Sequence, residues 1–369
     1  MRILVVTLAP TLFRDGCFHS YAPYVKEMNV WFKHVENVTI LSPTRYPKKL
    51  LTAPFFRKDI EVKNISGIGF DSMWNALKSF FYIPFILFEM FKQMQRADHI
   101  HLRCPGNIAL LGCIAQVFFP KKRKTAKYAG NWDPNAKQPL SYRFQKWILS
   151  NTFLTKNMQI LVYGNWPNIT KNVKPFYTAT YPKNKIEETS VRKFNEKNKF
   201  LFVGNLAPGK RPIYAVKIIE ALKQEGISCT LDLYGDGAER NALESYVKKN
   251  NLFDGIKLWG NQSAETVELA YRQSQFLLLP SKSEGWPKVV AEAMFWGVIP
   301  VVTNISCVPW MLGNGKRGIL LDKNLKKDVE TLLNEIQDKE SLQKKSIKAQ
   351  QWSQRYTLDD FEGEIKKLL

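Results

Sequence analysis

The segment PSKSEGWPKVVAEAMFWGVIPVV, residues 280–302, constrains this chain more than any other. Residues 276–280 form an unbroken apolar run of strand length, Gly285 can turn the chain at positive φ, and Pro287 suits the first position of a helix, where no N–H is needed. Gly297 stops that helix and residues 298–302 supply the next buried strand. Strand, glycine loop, helix and strand make a parallel crossover whose loop opens at the carboxyl end of a sheet, the place where such sheets bind ligands. A helix N-terminus there offers N–H groups to a phosphate, and side chains of the first turns lean back toward the same end. Glu292 is therefore expected to point toward a ligand held by the loop around Glu284. The spacing of eight carries no weight by itself, since Glu188 and Glu196 share it by accident. The strand, the Gly, the Pro and the small-residue helix set the first pair apart from a solvated helix face.

Similar alternation runs through the chain. Strands are expected at 2–8, 38–41, 99–103, 125–129 and 159–163, separated by helical stretches, with an irregular basic stretch at 45–63. A polar segment at 175–199 reads as a linker. Strands at 200–203, 230–234 and 256–259 then alternate with helices at 212–224, 238–249 and one opened by Ser263. Residues 325–369 read as almost wholly helical, with Thr357 as a cap. This pattern predicts an α/β chain of two doubly wound halves, and 369 residues suit two domains better than one core.

Two further strand ends carry candidate chemistry. GNLAPGKRP follows the strand at 200–203 and places Gly204, Asn205, Gly209, Lys210 and Arg211 before a helix. These cations suit a diphosphate, or form an ordinary basic turn. No GxGxxG is present, which argues against a dehydrogenase. LYGDG, with Tyr234 and Gly235, is another strand end running into a helix, and Gly260 with Asn261 ends a third. No two aspartates stand two apart, and the four histidines (His19, His34, His99, His101) make no cluster, so no catalytic metal is expected. His99 and His101 alternate in a strand and read as packing or surface residues.

FVGNLAPGKRP, LYGDGAER and SEGWPKVVAEAMFWGVIPVV, in this order, resemble the retaining glycosyltransferases of family 4, which have the two-domain GT-B fold. The resemblance covers most of residues 200–322 and is weaker over 1–190. It implies two Rossmann-like domains facing a cleft: an acceptor-binding domain at 1–190, a donor-binding domain at 191–345, and C-terminal helices at 346–369 packing back on the first. It implies that Glu284 contacts the transferred sugar, that Lys210 and Arg211 face the diphosphate, and that Glu292 holds the ribose hydroxyls. The remaining donor contacts would come from Gly204, Asn205, Tyr234, Gly235, Asn261, Gly285, Trp286, Pro287, Lys288 and Val289. Asp15 and Gly16, after the first strand, match the place where the family faces the diphosphate across the cleft. The chain departs from the family at three positions. Asn205 stands where an Arg is common, so Arg211 would replace that charge. Pro287 stands where a Gly is common, and removes an amide donor. Ala129 stands where many members have a His, leaving Gly130, Asn131 and Asp133 as substitutes on the acceptor side. The implied activity is hexosyl transfer from a nucleoside diphosphate sugar, without metal or other cofactor, to a lipid-linked or saccharide acceptor in surface polysaccharide synthesis.

Charge is unevenly placed. Residues 1–190 hold 27 Lys/Arg against 11 Asp/Glu, a net +16, whereas 191–369 hold 27 against 22, a net +5, which together make +21. A basic domain can meet nucleic acid, an anionic membrane or a phosphorylated substrate. No helix-turn-helix, zinc finger or aromatic RNA-binding motif is present, so no nucleic-acid partner is expected. The run FFYIPFILFEMF, residues 80–91, is too short to span a bilayer. It reads as a buried core helix interrupted by Pro84, or as a membrane contact. Five scattered cysteines and a start without a cleavage site point to a cytoplasmic chain, able to attach to the inner face of the cell membrane. Three other readings compete with transfer: an epimerase or phosphorylase of the same fold, a glycoside hydrolase using the two glutamates, and a basic nucleic-acid-binding protein. The hydrolase fits poorly, because its carboxylates would flank the bond and these share one loop and helix.

Overall fold

The structure is a computed structural model that describes residues 1–46, 51–69, 72–187, 192–194 and 197–369. The chain divides into two units, Met1–Tyr177 with Phe361–Leu369, and Thr178–Asp360.

The first unit holds strands β1 (Arg2–Val6), β2 (Leu12–Arg14), β3 (Cys17–Tyr21), β4 (Asn37–Ser42), β5 (Thr52–Pro54), β6 (Glu61–Asn64), β7 (His99–Cys104), β8 (Arg123–Tyr128), β9 (Met158–Tyr163) and β10 (Val173–Phe176). Its main helices are α1 (Ala22–Phe32), α2 (Met73–Arg96), α3 (Asn107–Ala115) and α4 (Leu140–Ser150). Seven strands form a parallel sheet in the order β10-β9-β8-β7-β1-β4-β6. Ile3 to Val6 are fully buried because such a sheet is covered on both faces, which is why β1 reads as an unbroken apolar run. Of the stretch 45–63, residues 47–50 lie outside the described residues, and the part from 51 to 63 is more regular than its composition suggests. β6 is the edge strand of this sheet, and β5 joins β2 and β3 in a small antiparallel sheet.

Part of the basic charge is internal. Lys127 is fully buried, donates to the Tyr177 carbonyl at 3.1 Å, and lies over the rings of Tyr163 and Phe176. Arg103 pairs with Glu27 at 2.5 Å. His99 and His101 are both buried against the Thr125 hydroxyl at 2.8 Å, so they pack and are not surface residues. Burial pushes the His99 imidazole down from 6.5 to about 4 and lowers that of His101 as well.

The second unit holds β11 (Asn198–Val203), α5 (Pro212–Gln224), β12 (Cys229–Tyr234), α6 (Arg240–Lys249), β13 (Ile256–Gly260), α7 (Ala264–Gln273), β14 (Phe276–Leu279), α8 (Lys288–Phe295), β15 (Ile299–Thr303), α9 (Val308–Met311), β16 (Ile319–Leu321), α10 (Leu325–Gln337) and α11 (Lys339–Ser353). Its six strands are parallel in the order β13-β12-β11-β14-β15-β16. The order reverses between β11 and β14, so the loops after these two strands open at the switch point of the sheet.

Two boundaries differ from the sequence expectation. The first falls at Tyr177/Thr178, not near residue 190, because the expected linker is bonded into the second unit. Thr180 donates to Glu292, Lys185 pairs with Glu268, and the Arg192 guanidinium donates to the carbonyls of Trp296 and Gly297. The second concerns residues 346–360, which belong to the second unit. There α11 packs on α8, with Ser346 Oγ donating to the Gly297 carbonyl and Ser353 Oγ to that of Ala291. Residues 361–369 of the last helix, α12 (Leu358–Leu368), belong to the first unit, where Phe361 packs on Phe176 and Tyr177. Thr357 caps α12, accepting from the Asp360 N–H.

Candidate active site

The site begins with a fully buried β14, whose apolar run ends at Pro280, so that the chain leaves the sheet at Ser281. The loop after β11 meets it there, because the Lys282 N–H donates to the Gly209 carbonyl at 2.8 Å. This contact places Lys210 beside Glu284, Nζ to Oε1, at 2.5 Å. The Glu284 carboxylate is 7% exposed and the Lys210 side chain 31%, so the pair is inside on the acidic side and open on the basic side. Arg211, at φ +54, caps α5 and stacks its guanidinium 3.8 Å from the Tyr214 ring centroid. The Tyr214 hydroxyl is in turn anchored on Asp328 at 2.6 Å.

Glycines set the shape of the neighbouring loops. A Cβ on Gly235 would lie 1.9 Å from the Gly204 carbonyl oxygen, and one on Gly237 would lie 2.6 Å from that of Leu206. Gly204 N–H donates to the Tyr234 carbonyl and Gly235 N–H to that of Gly260, which ties together the ends of β11, β12 and β13. Asn205 points its Oδ1 at the Cα of Gly237, where a Cβ would come within 2.2 Å. The side chain of Tyr234 goes elsewhere. It stacks on Trp259 and lines a 230 Å³ cavity on the sheet face with Asp232 and Lys257. Asn261 is exposed beyond the end of β13.

On the α8 side, the backbone carbonyl of Gly285 accepts from Cys307 Sγ at 2.9 Å, and burial followed by the nearby Glu284 charge pushes the Cys307 thiol up to about 12. Trp286 is buried among Trp310, Trp352 and Tyr356. Pro287, expected at the first helical position, is instead the N-cap of α8, and its carbonyl accepts from the Val290 N–H. Lys288 and Val289, both half-buried, form the first turn. Glu292, one turn on, accepts from Thr180 Oγ1 at 2.8 Å and from the Tyr271 hydroxyl at 3.2 Å. Its carboxylate repels ionisation of Tyr271, which burial already raises well above the usual range.

The acceptor-side candidates lie in the first unit and are occupied locally. Asp15 and Gly16, at φ +49 and +76, form the exposed two-residue turn of the β2–β3 hairpin. Asn131 Oδ1 accepts from the Asp133 N–H and Asp133 Oδ1 from the Asn135 N–H, so both side chains brace their own loop. Thr180, Tyr271 and Cys307 were missed in the sequence. Only the adjacency of strand ends β14 and β15 could have pointed to Cys307, and nothing in the spacing pointed to the other two. Among the described residues no group of three or more His, Cys, Asp and Glu is placed to hold a metal.

Residues 184–352 match the family described as glycosyl transferases group 1. That match lies wholly within the second unit and covers less than half of the chain. An uncharacterized glycosyltransferase of Methanocaldococcus jannaschii is 34% identical over 145 residues, 39% of each chain. The Escherichia coli UDP-Gal:alpha-D-GlcNAc-diphosphoundecaprenol alpha-1,3-galactosyltransferase is 27% identical over 38% of this chain and 36% of that one. This chain therefore aligns with well under half the length of both relatives. The solved structure of Anabaena HepE in complex with UDP covers 100% of this chain and 99% of its own, with a TM-score of 0.70 at 15% identity. The fold of the chain is thus GT-B.

Proposed function

We propose that this chain is a retaining glycosyltransferase of family 4 that moves a hexosyl group from a nucleoside diphosphate sugar to a lipid-linked or saccharide acceptor. The observation that carries this reading is the Lys210–Glu284 pair at the switch point of a group 1 unit. In the resting site each group neutralises the other. A donor would insert its diphosphate beside Lys210 and Arg211 and its sugar beside Glu284, exchanging an ion pair for one charge facing phosphate and one facing hydroxyls. As the bond from the anomeric carbon to the diphosphate oxygen breaks, negative charge grows on the leaving group. Lys210, Arg211 and the first-turn N–H groups of α8 would receive it. The acceptor attacks from the face the leaving group departs, and a phosphate oxygen takes its proton.

Glu292 would hold the ribose by exchanging the hydroxyls of Thr180 and Tyr271 for those of the nucleotide. The transfer needs no divalent ion on this reading, because cationic side chains already face the diphosphate. UDP is the first nucleotide to try, since HepE was solved with it. A diphosphoundecaprenol acceptor, as in the E. coli relative's name, would place the reaction in surface polysaccharide synthesis at the cytoplasmic face of a membrane. Calorimetry with UDP, GDP and ADP should show binding to one of them. Acceptor-dependent release of that nucleotide after dialysis against EDTA, with the product anomer read by NMR, tests the rest. Release without acceptor, activity recovered only by added Mg²⁺ or Mn²⁺, or an inverted product would each remove the corresponding part.

A further inference from the structure

The first unit carries an aromatic face that its own fold leaves uncovered. The run at 80–91 is neither a core helix nor broken. It lies within one continuous helix of 24 residues, α2, with Pro84 inside and exposed. Ser79, Ile86, Met90, Gln93 and Met94 face the sheet and are buried. Trp74, Leu77, Phe81, Phe85 and Phe88 follow one another at steps of three or four residues, so they line the opposite side, and all are exposed, Phe85 by 75%. Helix α4 repeats the pattern with exposed Leu140, Phe144 and Trp147, and both helices pack against α3. Aligned apolar side chains on this scale mark an interaction surface.

Its surroundings are cationic. Lys78, Lys92 and Arg96 are exposed on α2, and Lys122 Nζ donates to the carbonyls of Gln95 and Ala97, which sets the run 121–124 against the end of that helix. Behind this run lies a cavity of about 630 Å³ lined by Arg123, Lys124, Lys156, Lys171 and Lys367, with no carboxylate among its lining residues. Among the described residues no helix is long and apolar enough to cross a membrane. Apolar rings bordered by cations are the chemistry of a helix lying in the plane of an anionic lipid interface.

We propose that the outer face of α2, with that of α4 on the other side of α3, docks the first unit on an anionic membrane, rings among the acyl chains and Lys78, Lys92 and Arg96 among the phosphates. Two copies of this face are a poorer match for each other, because a two-fold pairing would bring the same cations together. The inference rests on the lipid-linked reading of the acceptor for its purpose, and on this surface alone for its truth.

Flotation of the full chain with phosphatidylglycerol/phosphatidylethanolamine vesicles, against phosphatidylcholine vesicles, tests it. The wild type should float with the anionic vesicles and lose about 10-fold in partition in high salt. The variant Phe81→Ser/Phe85→Ser/Phe88→Ser should lose about 10-fold or more. These side chains are exposed, so its melting temperature should be unchanged, and Lys92→Glu/Arg96→Glu gives a second variant that leaves the apolar stripe intact. No flotation of the wild type, or equal flotation of all three proteins, would overturn the proposal. So would a dimer in light scattering that the triple variant dissolves, which would assign the face to a second copy. Calorimetry with UDP on the same proteins separates the two readings: flotation without nucleotide binding keeps this surface and removes the transfer.

Discussion

The two units share a doubly wound plan and differ in where their unusual residues lie. In the second, they sit at strand ends and touch one another: Gly204 against Gly235, the Gly209 carbonyl on Lys282, Lys210 on Glu284. In the first, the strand-end candidates brace their own loops, and the unusual residues are the rings along α2. A sheet fixes backbone geometry at its carboxyl edge, so the residues that work there must satisfy tight steric rules. A helix face that meets another surface is bound only by its periodicity. The contrast predicts that single small changes are costly in the second unit and mild at the matching loops of the first.

The largest effect should come from Gly235→Ala. Its new methyl would lie 1.9 Å from a backbone oxygen, at φ +137, and neither partner is a flexible side-chain end. A loss of about 4 kcal/mol is expected, or no folded second unit at all. Urea denaturation of the variant decides, and a midpoint within error of wild type would mean that the strand-end loops are far looser than this contact implies.

Next is Lys210→Ala, which removes a charge facing the leaving diphosphate and leaves Glu284 buried without its partner. Turnover should fall by about 100-fold, close to 3 kcal/mol, with a smaller change in donor affinity. Glu292→Gln should do the reverse, weakening donor affinity about 10-fold at nearly constant turnover, because a ribose contact is made equally in ground and transition states. Steady-state kinetics with both variants separates the roles. The same pattern of losses in both would mean that the two residues act as one unit.

These differences also explain what the sequence could disclose. The Glu284–Glu292 unit was legible because a strand, a Gly and a Pro must stand in order there, and five of the six second-unit strands were placed to within a few residues, the short edge strand β16 being missed. The domain boundary was not, since Thr180 and Arg192 look like linker and are held by partners about 80 to 110 residues away. The Asp15–Gly16 dipeptide between two short β-prone runs was a hairpin signal that could have been read. Helix α2 was left open between core and membrane contact because its apolar residues go all the way round. Composition alone does not say which side of such a helix is covered, and here only one is.

Acid should act on the first unit before the second, because all four histidines lie in the first. His99 stays neutral in the folded chain down to about 4, while in the unfolded chain it takes a proton near 6.5. Between these values the unfolded state binds more protons, so stability falls as pH drops through that window and is untouched above it. By pH 5 the loss is about 2 kcal/mol. His101, lowered in the same direction, adds to it. Hydrogen exchange at pH 7 and 5, corrected for intrinsic rates, should show protection lost around β7 and β8 and kept around β11 and β14. Equal losses in both units would remove the histidines as the cause.

The smallest effect should be Gly16→Ala, the counterpart of Gly235→Ala. Both glycines follow a strand and both have positive φ, yet nothing lies within 4 Å of a Cβ at Gly16. Its turn, with Asp15 also left-handed, is the two-residue hairpin type whose twist matches the flanking strands. Only the intrinsic cost of a left-handed alanine remains, about 1 kcal/mol. The comparison isolates two causes of glycine usage: backbone conformation alone at the hairpin tip, and conformation plus a backbone contact at the strand end. Gly16→Asn sharpens the test, because asparagine tolerates this region and should recover much of the loss, whereas Gly235→Asn should recover none. A Gly16→Ala variant as unstable as Gly235→Ala would show that the hairpin tip is packed against something, and would return Asp15 and Gly16 to the list of residues that a ligand or a neighbouring segment must touch.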